Sequence, residues 1–386
     1  MATATSSVRE VVGELASLGI RRVHVLAWRD LDDAEAGGSE VHADEVMRRW
    51  AAAGLDVVHR TSAAPGLPST AQRNGYSVVR RGSRYTVFPR TVVAELARRM
   101  GPFDALVEIW NGVPWFSPLW CRRPNLTVIH HVHDQMWEQV FPRPIAALCR
   151  VFETKIAPLA YRRTRVISGS ESTVSQLREL GYRADRTGVI PYGVASAYSP
   201  GGQRAEQPLV LSVGRLAPVK EHDLLIKAAV EAKQRVPGLR LVIVGTGPRR
   251  AAIEQLIAAH NVGDWITMVG RVELDELIAL YRQAWLVASA SRSEGWGLAL
   301  TEAAACGTPA VATDIAGHRS SVIDGVTGVL VRVEALGERI ADLLLDDTLR
   351  ERLGKQALER TGSLSWDVSA AGLLAALRDE VRRRSK

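Results

Sequence analysis

The sequence predicts an α/β fold made of two doubly wound units in succession, each a parallel sheet covered by helices. Three observations predict it. Short apolar runs alternate with helical stretches along most of the chain. The alternation breaks near residues 191–207, where Pro, Gly and Ser accumulate in PYGVASAYSPGGQRAEQ, as in an interdomain linker. It then restarts. A chain of 386 residues is long for one domain and fits two of about 150–200 residues.

Taken in order, the first strand is expected at 23–28. A Gly-rich loop and a helix at about 39–53, with Ser39 as N-cap, follow it. Further strands are expected at 56–60, 85–88, 105–109, 126–131 and 165–168. Beyond the linker, strands are expected at 209–213, 239–244, 266–269, 286–288 and 309–312, with helices at 221–235, 248–260 and 274–282. A last helix at about 367–383 fits either unit. No short repeat is visible, so a solenoid is not expected. Ligands of such sheets bind at the carboxyl ends of the strands, so the site is expected in the cleft between the two units.

The composition is 46% apolar and 24% charged, that of an ordinary globular protein. No apolar run has the length of a membrane span, and the first twenty residues lack the layout of a signal peptide, so a cytoplasmic location is expected. Cys121, Cys149 and Cys306 are far apart and have neither metal nor disulfide spacing, and small buried hydrophobes account for them. The net charge is +7 and the pI about 9.6. Arginine pairs supply much of this, at 48–49, 80–81, 98–99, 122–123 and 162–163, together with the tail 382–384. They are scattered. Solvated helix faces account for most of them, and peripheral docking on a membrane, at its inner face and without insertion, is the alternative. Nucleic acid is not an expected partner, because neither a clustered basic stripe nor a recognition-helix signature occurs.

Four segments can carry chemistry. Ala36-Gly37-Gly38-Ser39-Glu40 follows a strand and opens a helix, so its glycines and free N–H groups can approach an anion; a tight turn without a ligand explains it equally. Val213-Gly214-Arg215-Leu216, with Lys220 five residues after Arg215, sets two cations at the end of a strand, as suits a diphosphate; a pair of surface cations is the plainer reading. Ser293-Glu294-Gly295-Trp296-Gly297-Leu298 runs into Thr301-Glu302-Ala303, placing two carboxylates eight positions apart where sugar or ribose hydroxyls can bond them. A glutamate balancing the helix dipole explains Glu294 moderately and Glu302 poorly. His130-His131-Val132-His133-Asp134 ends an apolar run. Zinc would need further ligands that the neighbourhood lacks, so a single histidine pointing into the cleft is the better reading.

Two weaker features accompany them. Asp30-Leu31-Asp32 matches an Asp-x-Asp metal motif and reads as solvated loop. Trp110, Trp115, Trp120 and Trp137 crowd into 108–138, where they offer either aromatic faces for an acceptor or ordinary core packing.

Together these residues resemble family 4 of the retaining glycosyltransferases, with the GT-B fold of two Rossmann-like domains. The resemblance is carried by VGRLAPVKEHDLLIKA at 213–228, LVIVGTGP at 241–248, MVGRV at 268–272 and the run 291–331 with its Glu-x7-Glu element. It is thinner in the first half, through Gly37-Gly38, His133-Asp134, Gly169-Ser170-Glu171-Ser172 and the run 189–194. It implies an N-terminal acceptor domain at 1–197, a C-terminal donor domain at 205–366, and a final helix, 367–386, crossing back to the first. It implies that Arg215 and Lys220 hold the donor diphosphate, with Gly214 beside them and Gly37 and Gly38 approaching from the other domain. Glu302 would bind the ribose and Val272 would sit near the base. Glu294, with Gly295, Trp296, Gly297 and Leu298, would bind the sugar. His133, or His131 as runner-up, would lie by the reacting carbon. Tyr192 replaces the Asn usual before that Gly-Val, which touches hinge detail. The implied activity is transfer of a hexose from a UDP- or GDP-sugar to a glycan, lipid-linked or small-molecule acceptor, with retention and without an essential metal or other cofactor. An epimerase of the same fold and a non-catalytic nucleotide-sugar-binding protein are the alternatives.

Overall fold

The structure is a computed structural model that describes residues 6–385. Residues 1–5, the start of the segment read for a signal peptide, and residue 386, the end of the expected last helix, lie outside the described residues. The chain divides into two compact units, 1–193 with 366–386, and 194–365.

The first unit is built on strands β1 (Arg22–Leu26), β2 (Asp56–Thr61), β3 (Thr70–Arg73), β4 (Tyr76–Arg80), β5 (Ala105–Trp110), β6 (Asn125–Ile129), β7 (Arg165–Ser168) and β8 (Thr187–Val189). Their order in the sheet is β3-β4-β2-β1-β5-β6-β7-β8, parallel except for β3 against β4. The central strands read as near-continuous apolar runs because helices cover both faces. On one face helices Val8–Ser17, Gly38–Ala52 and Trp366–Arg384 pack together, burying Leu15, Met47, Trp50 and Leu374 against Val23, Val25 and Val107. The last helix is tied to this unit by Trp50, whose indole N–H donates to the Ala370 carbonyl (2.9 Å).

The second unit is built on β9 (Leu209–Val213), β10 (Arg240–Val244), β11 (Ile266–Gly270), β12 (Leu286–Ser289), β13 (Ala310–Thr313) and β14 (Gly328–Val331), all parallel in the order β11-β10-β9-β12-β13-β14. Helices His222–Arg235 and Leu336–Leu345 cover one face and Leu274–Gln283 and Leu298–Ala305 the other. In each sheet the chain winds outward in both directions from one internal pair of strands, β1/β5 in the first and β9/β12 in the second. Such a switch point leaves a crevice at the carboxyl ends of the strands.

Three local expectations are corrected. Residues 85–88 are not a strand: Val87 begins the helix Val87–Leu96, entered through a turn in which the Thr86 hydroxyl accepts from the Ser83 N–H (2.8 Å). The helix after β1 starts at Gly38, and Gly37, not Ser39, is its cap; the Glu40 carboxylate accepts the Gly37 N–H (2.8 Å). Four strands were not expected, β3, β4, β8 and β14; β3 and β4 form a hairpin on Asn74-Gly75, both at positive φ (44° and 88°), the pair that a two-residue turn favours.

Candidate functional site

The second unit brings four of the singled-out residues to its switch point. The loop after β9 carries Gly214, Arg215 and, on a short 3-10 turn, Lys220; the loop after β12 carries Glu294. The Lys220 ammonium donates to the Glu294 carboxylate, joining the two loops across the crevice. Glu294 also accepts from the Ser291 hydroxyl (2.8 Å). Burial pushes the Glu294 carboxyl up, but the charge of Lys220, then that of His318, and the two hydrogen bonds more than offset it, leaving the group below its ordinary value. Glu294 is therefore ionised at neutral pH.

Backbone-to-backbone packing shapes these loops. Gly214 N–H donates to Val244, Leu216 N–H to Thr246 (2.8 Å) and Gly245 N–H to Gly270 (2.7 Å). Gly245 sits at φ +136°, and a Cβ there would run into the Gly214 carbonyl. Gly317, at the start of helix Ala316–Ser321, lies so close to the Glu294 backbone that a methyl group would strike it. His318, next in sequence, donates from Nδ1 to the Thr313 carbonyl (2.8 Å), so its Nε2 faces the Ser289 hydroxyl (3.2 Å). Burial lowers its pKa, and the Glu294 charge opposes that only in part.

Glu302 lies inside the helix Leu298–Ala305, on a different side of the loop. It accepts from the Tyr281 hydroxyl (2.8 Å) and bonds Tyr198, and burial raises its pKa against those two bonds. Of the two carboxylates eight positions apart, Glu294 stands in the loop and Glu302 in the helix. Gly297, at φ +96°, caps that helix, and Trp296 is buried while Gly295 and Leu298 are half-buried. Val272 is half-buried against the apolar core on the same face of the sheet. Arg215 is exposed at the mouth of the β9 loop.

The first unit gathers the remaining residues at its own switch point. Gly37 and Gly38 follow β1; Asn111 and Gly112 follow β5; the histidines follow β6. Asn111 donates to the Ser39 hydroxyl (2.9 Å), linking the first two loops. Of the three histidines, His130 is buried and turned toward the Tyr192 hydroxyl, while His131 and His133 stack at 4.2 Å. His133 also stacks on Trp137 (4.9 Å). A buried carboxylate that the sequence reading missed, Glu153, fixes this loop: it accepts from the backbone N–H of His133 (2.8 Å) and Asp134 (2.9 Å) and from the Trp137 indole (2.9 Å). Burial raises the Glu153 pKa, but the His133 bond and charge and the two backbone donors outweigh it and hold the group ionised. Glu153 sits on a π-helical turn, Phe152–Ile156, twenty residues from His133, and no local pattern announces it.

Two further readings, of Asp30-Leu31-Asp32 and of Tyr192, are corrected, and those of the tryptophans and the tail arginines are made specific. Asp30 is not solvated: it is buried and accepts from Arg80 Nε (2.5 Å), while Asp32 accepts from Arg80 Nη2 (2.7 Å) and pairs with Arg73. The Asp-x-Asp carboxylates are therefore committed to arginines, and Arg80 is a buried strand residue, not a helix-face cation. Trp110, Trp115 and Trp137 are buried in the core, the first donating to the Gly112 carbonyl (2.5 Å) and the second to that of Ile109 (3.3 Å); of the four, Trp120 alone is half-exposed. Tyr192 is not a linker residue: it is buried in the first unit, its ring over Gly169, where a side chain would collide with it. The tail arginines are ion-paired, Arg383 and Arg384 with the buried Glu380 and Arg382 with Glu14.

Among known proteins, the model of the group 1 glycosyl transferases matches residues 199–360, and that of Glycosyltransferase Family 4 matches residues 36–197. A D-inositol 3-phosphate glycosyltransferase of Nocardia farcinica is 38% identical over 92% of this chain and 88% of its own. Its counterpart in Kribbella flavida is 31% identical over 89% of this chain and 91% of its own. Among solved structures, the sucrose-phosphate synthase of Thermosynechococcus elongatus superposes with a TM-score of 0.79 at 24% identity, covering 95% of this chain and 99% of that one. The Anabaena protein HepE, solved in complex with UDP-glucose, superposes with a TM-score of 0.71 at 17% identity, covering 94% and 99%. These two likenesses show the fold.

Proposed function

The chain belongs to glycosyltransferase family 4 and is a glycosyltransferase of the GT-B fold, and we propose that it moves a hexose from a nucleoside-diphosphate sugar to an acceptor hydroxyl with retention of configuration and without an essential metal. One observation carries this reading: the ion pair of Lys220 and Glu294 spans the β9/β12 switch point beside the glycine-tight loop that bears Arg215.

Leaving-group charge is the main barrier in sugar transfer. As the bond from the anomeric carbon to the phosphate oxygen breaks, its electron pair stays on the diphosphate, and a preorganised cation lowers that barrier. In the proposed cycle Lys220 and Arg215 take this charge. Glu294, held by Ser291, accepts from hydroxyls of the donor sugar, and Glu302, braced by two tyrosines, accepts from the ribose. The acceptor oxygen bonds the anomeric carbon on the face the phosphate leaves, and its proton passes to the departing phosphate oxygen. His133, positioned by Glu153, orients the sugar. The arginine commitments of Asp30 and Asp32 support a metal-independent route.

The donor is a UDP- or GDP-hexose. The Nocardia and Kribbella relatives are named for inositol 3-phosphate, so a cyclic polyol phosphate heads the acceptors to try, beside glycans and lipid-linked sugars. Thermal-shift measurements with nucleoside diphosphates and their sugars identify the donor, because a ligand of the native state raises Tm. The reading predicts a shift with one nucleotide and its sugar, and an α-linked product by NMR from an α-linked donor. An inverted product, or a product sugar released with altered stereochemistry and no acceptor, overturns it.

A further inference from the structure

One surface of the first unit has a composition that donor chemistry does not account for. Helix Arg143–Val151 continues without a break through the π-helical turn Phe152–Ile156 into Ala157–Ala160. Its inward side buries Ala146, Glu153 and Ala157. Its outward side carries Ile145, Leu148, Phe152, Ile156 and Leu159, in steps of three and four residues that keep them on one stripe. The extra residue of the π turn lets Glu153 reach the His133 loop while Ile156 stays in line with the stripe. Leu159 is 75% exposed, Leu148 56% and Ile145 48%. Single exposed apolar residues are ordinary, but a continuous row of them marks an interaction surface.

The charges along this row choose the partner. Residues 143–163 include the cations Arg143, Arg150, Lys155, Arg162 and Arg163 and a single acid, the buried Glu153; Arg150 pairs with Asp134 (2.5 Å), so the positive excess along the row rests on the other four. At the start of the helix Tyr85 meets Phe141 (6.3 Å) and Arg84 lies over Tyr85 (5.6 Å), adding an aromatic and a cation of the kind that sit at lipid headgroups. A second copy of this face would set like charges against each other, whereas an anionic bilayer offers phosphates to the cations and an acyl boundary to the stripe. No helix among the described residues is long and apolar enough to cross a membrane.

We propose that this stripe docks the first unit on an anionic membrane surface, with Leu148, Phe152 and Leu159 at the headgroup–acyl boundary and the flanking cations on lipid phosphates. The docking stands apart from the donor chemistry and is tested without turnover.

The experiment is co-sedimentation of the full chain with vesicles of phosphatidylcholine alone or with about 30 mol % phosphatidylglycerol. The chain is expected to bind the anionic vesicles only, and less as salt is raised. Leu148→Glu with Leu159→Glu should weaken binding at least about tenfold with an unchanged Tm, because both positions are exposed. Arg162→Glu with Arg163→Glu should weaken it through charge alone. Failure of the wild-type chain to bind anionic vesicles overturns the proposal, as does full binding by the leucine variant. Light scattering that shows a dimer which the leucine variant dissociates also overturns it, and assigns the face to a second copy.

Discussion

Lys220 and Glu294 hold each other in place before any donor arrives, and the consequence is chemical. In the proposed cycle, a cation fixed at the departing oxygen needs no reorganisation when charge develops there. Glu294→Gln keeps the size of the side chain and the Ser291 bond but removes the charge. Turnover is expected to fall by about a hundredfold or more, while the affinity for nucleoside diphosphate without sugar stays within about threefold. Initial rates and calorimetric titration read the two effects separately, and a parallel loss of nucleotide affinity would mean that Glu294 holds the nucleotide instead. At this scale the sequence was legible where each motif lies within a single loop, as with Gly214 and Lys220 after β9 and Glu294 after β12. It was silent on partners from elsewhere in the chain. Glu153 and the Tyr281–Glu302 bond depend on tertiary packing, and nothing in their local pattern distinguishes them from ordinary surface or core residues.

The elements position these groups through the tightness of their loops. Gly245 has a backbone that L side chains rarely adopt and no room for a methyl group beside the Gly214 carbonyl. Gly245→Ala should separate the loops after β9 and β10, lower Tm, and weaken donor binding by about tenfold or more. Thermal melts with and without the donor found in the nucleotide panel test this; an unchanged ligand-induced shift would show that the loop registration does not matter to binding. Five of the six strands of the second unit were readable to within two residues, because buried parallel strands are apolar runs bounded by glycine and polar turns; the edge strand β14 was missed. The hairpin β3–β4 was missed because its strands are short and half polar, although Asn74-Gly75 marks the turn. The apolar run at 85–88 misled because its hydrophobicity serves helix packing: Phe88 meets Trp115 at 4.5 Å.

For the molecule as a whole, the acid limit is set by buried histidines before carboxylates. Burial pushes the pKa of His42 and of His59 down to about 3. The unfolded chain takes up these protons near the ordinary histidine value while the native state does not, so stability present above about pH 6.5 is lost as pH falls toward 3. Each group costs up to about 1.4 kcal/mol per pH unit in that window. Tm is expected to begin falling near pH 6.5, above the carboxylate range, and His59→Leu should flatten the slope; a Tm constant from pH 7 to 5 would contradict this. The two doubly wound units were legible from alternation alone, because a parallel sheet imposes it on the chain. That the last helix belongs to the first unit did not follow from alternation, since its apolar face fits either sheet; the family resemblance implied it, and Leu374 and Ala370 against Trp50 bear it out. The proposed transfer rests on cations of the second unit taking the charge of a departing diphosphate. Donor turnover by the variant Arg215→Ala with Lys220→Ala, measured in EDTA beside the unaltered chain, tests that most directly. Full activity of the unaltered chain in the chelator and a loss of about a thousandfold in the variant are expected; a variant that turns over normally, or an unaltered chain silenced by EDTA, would contradict this mechanism.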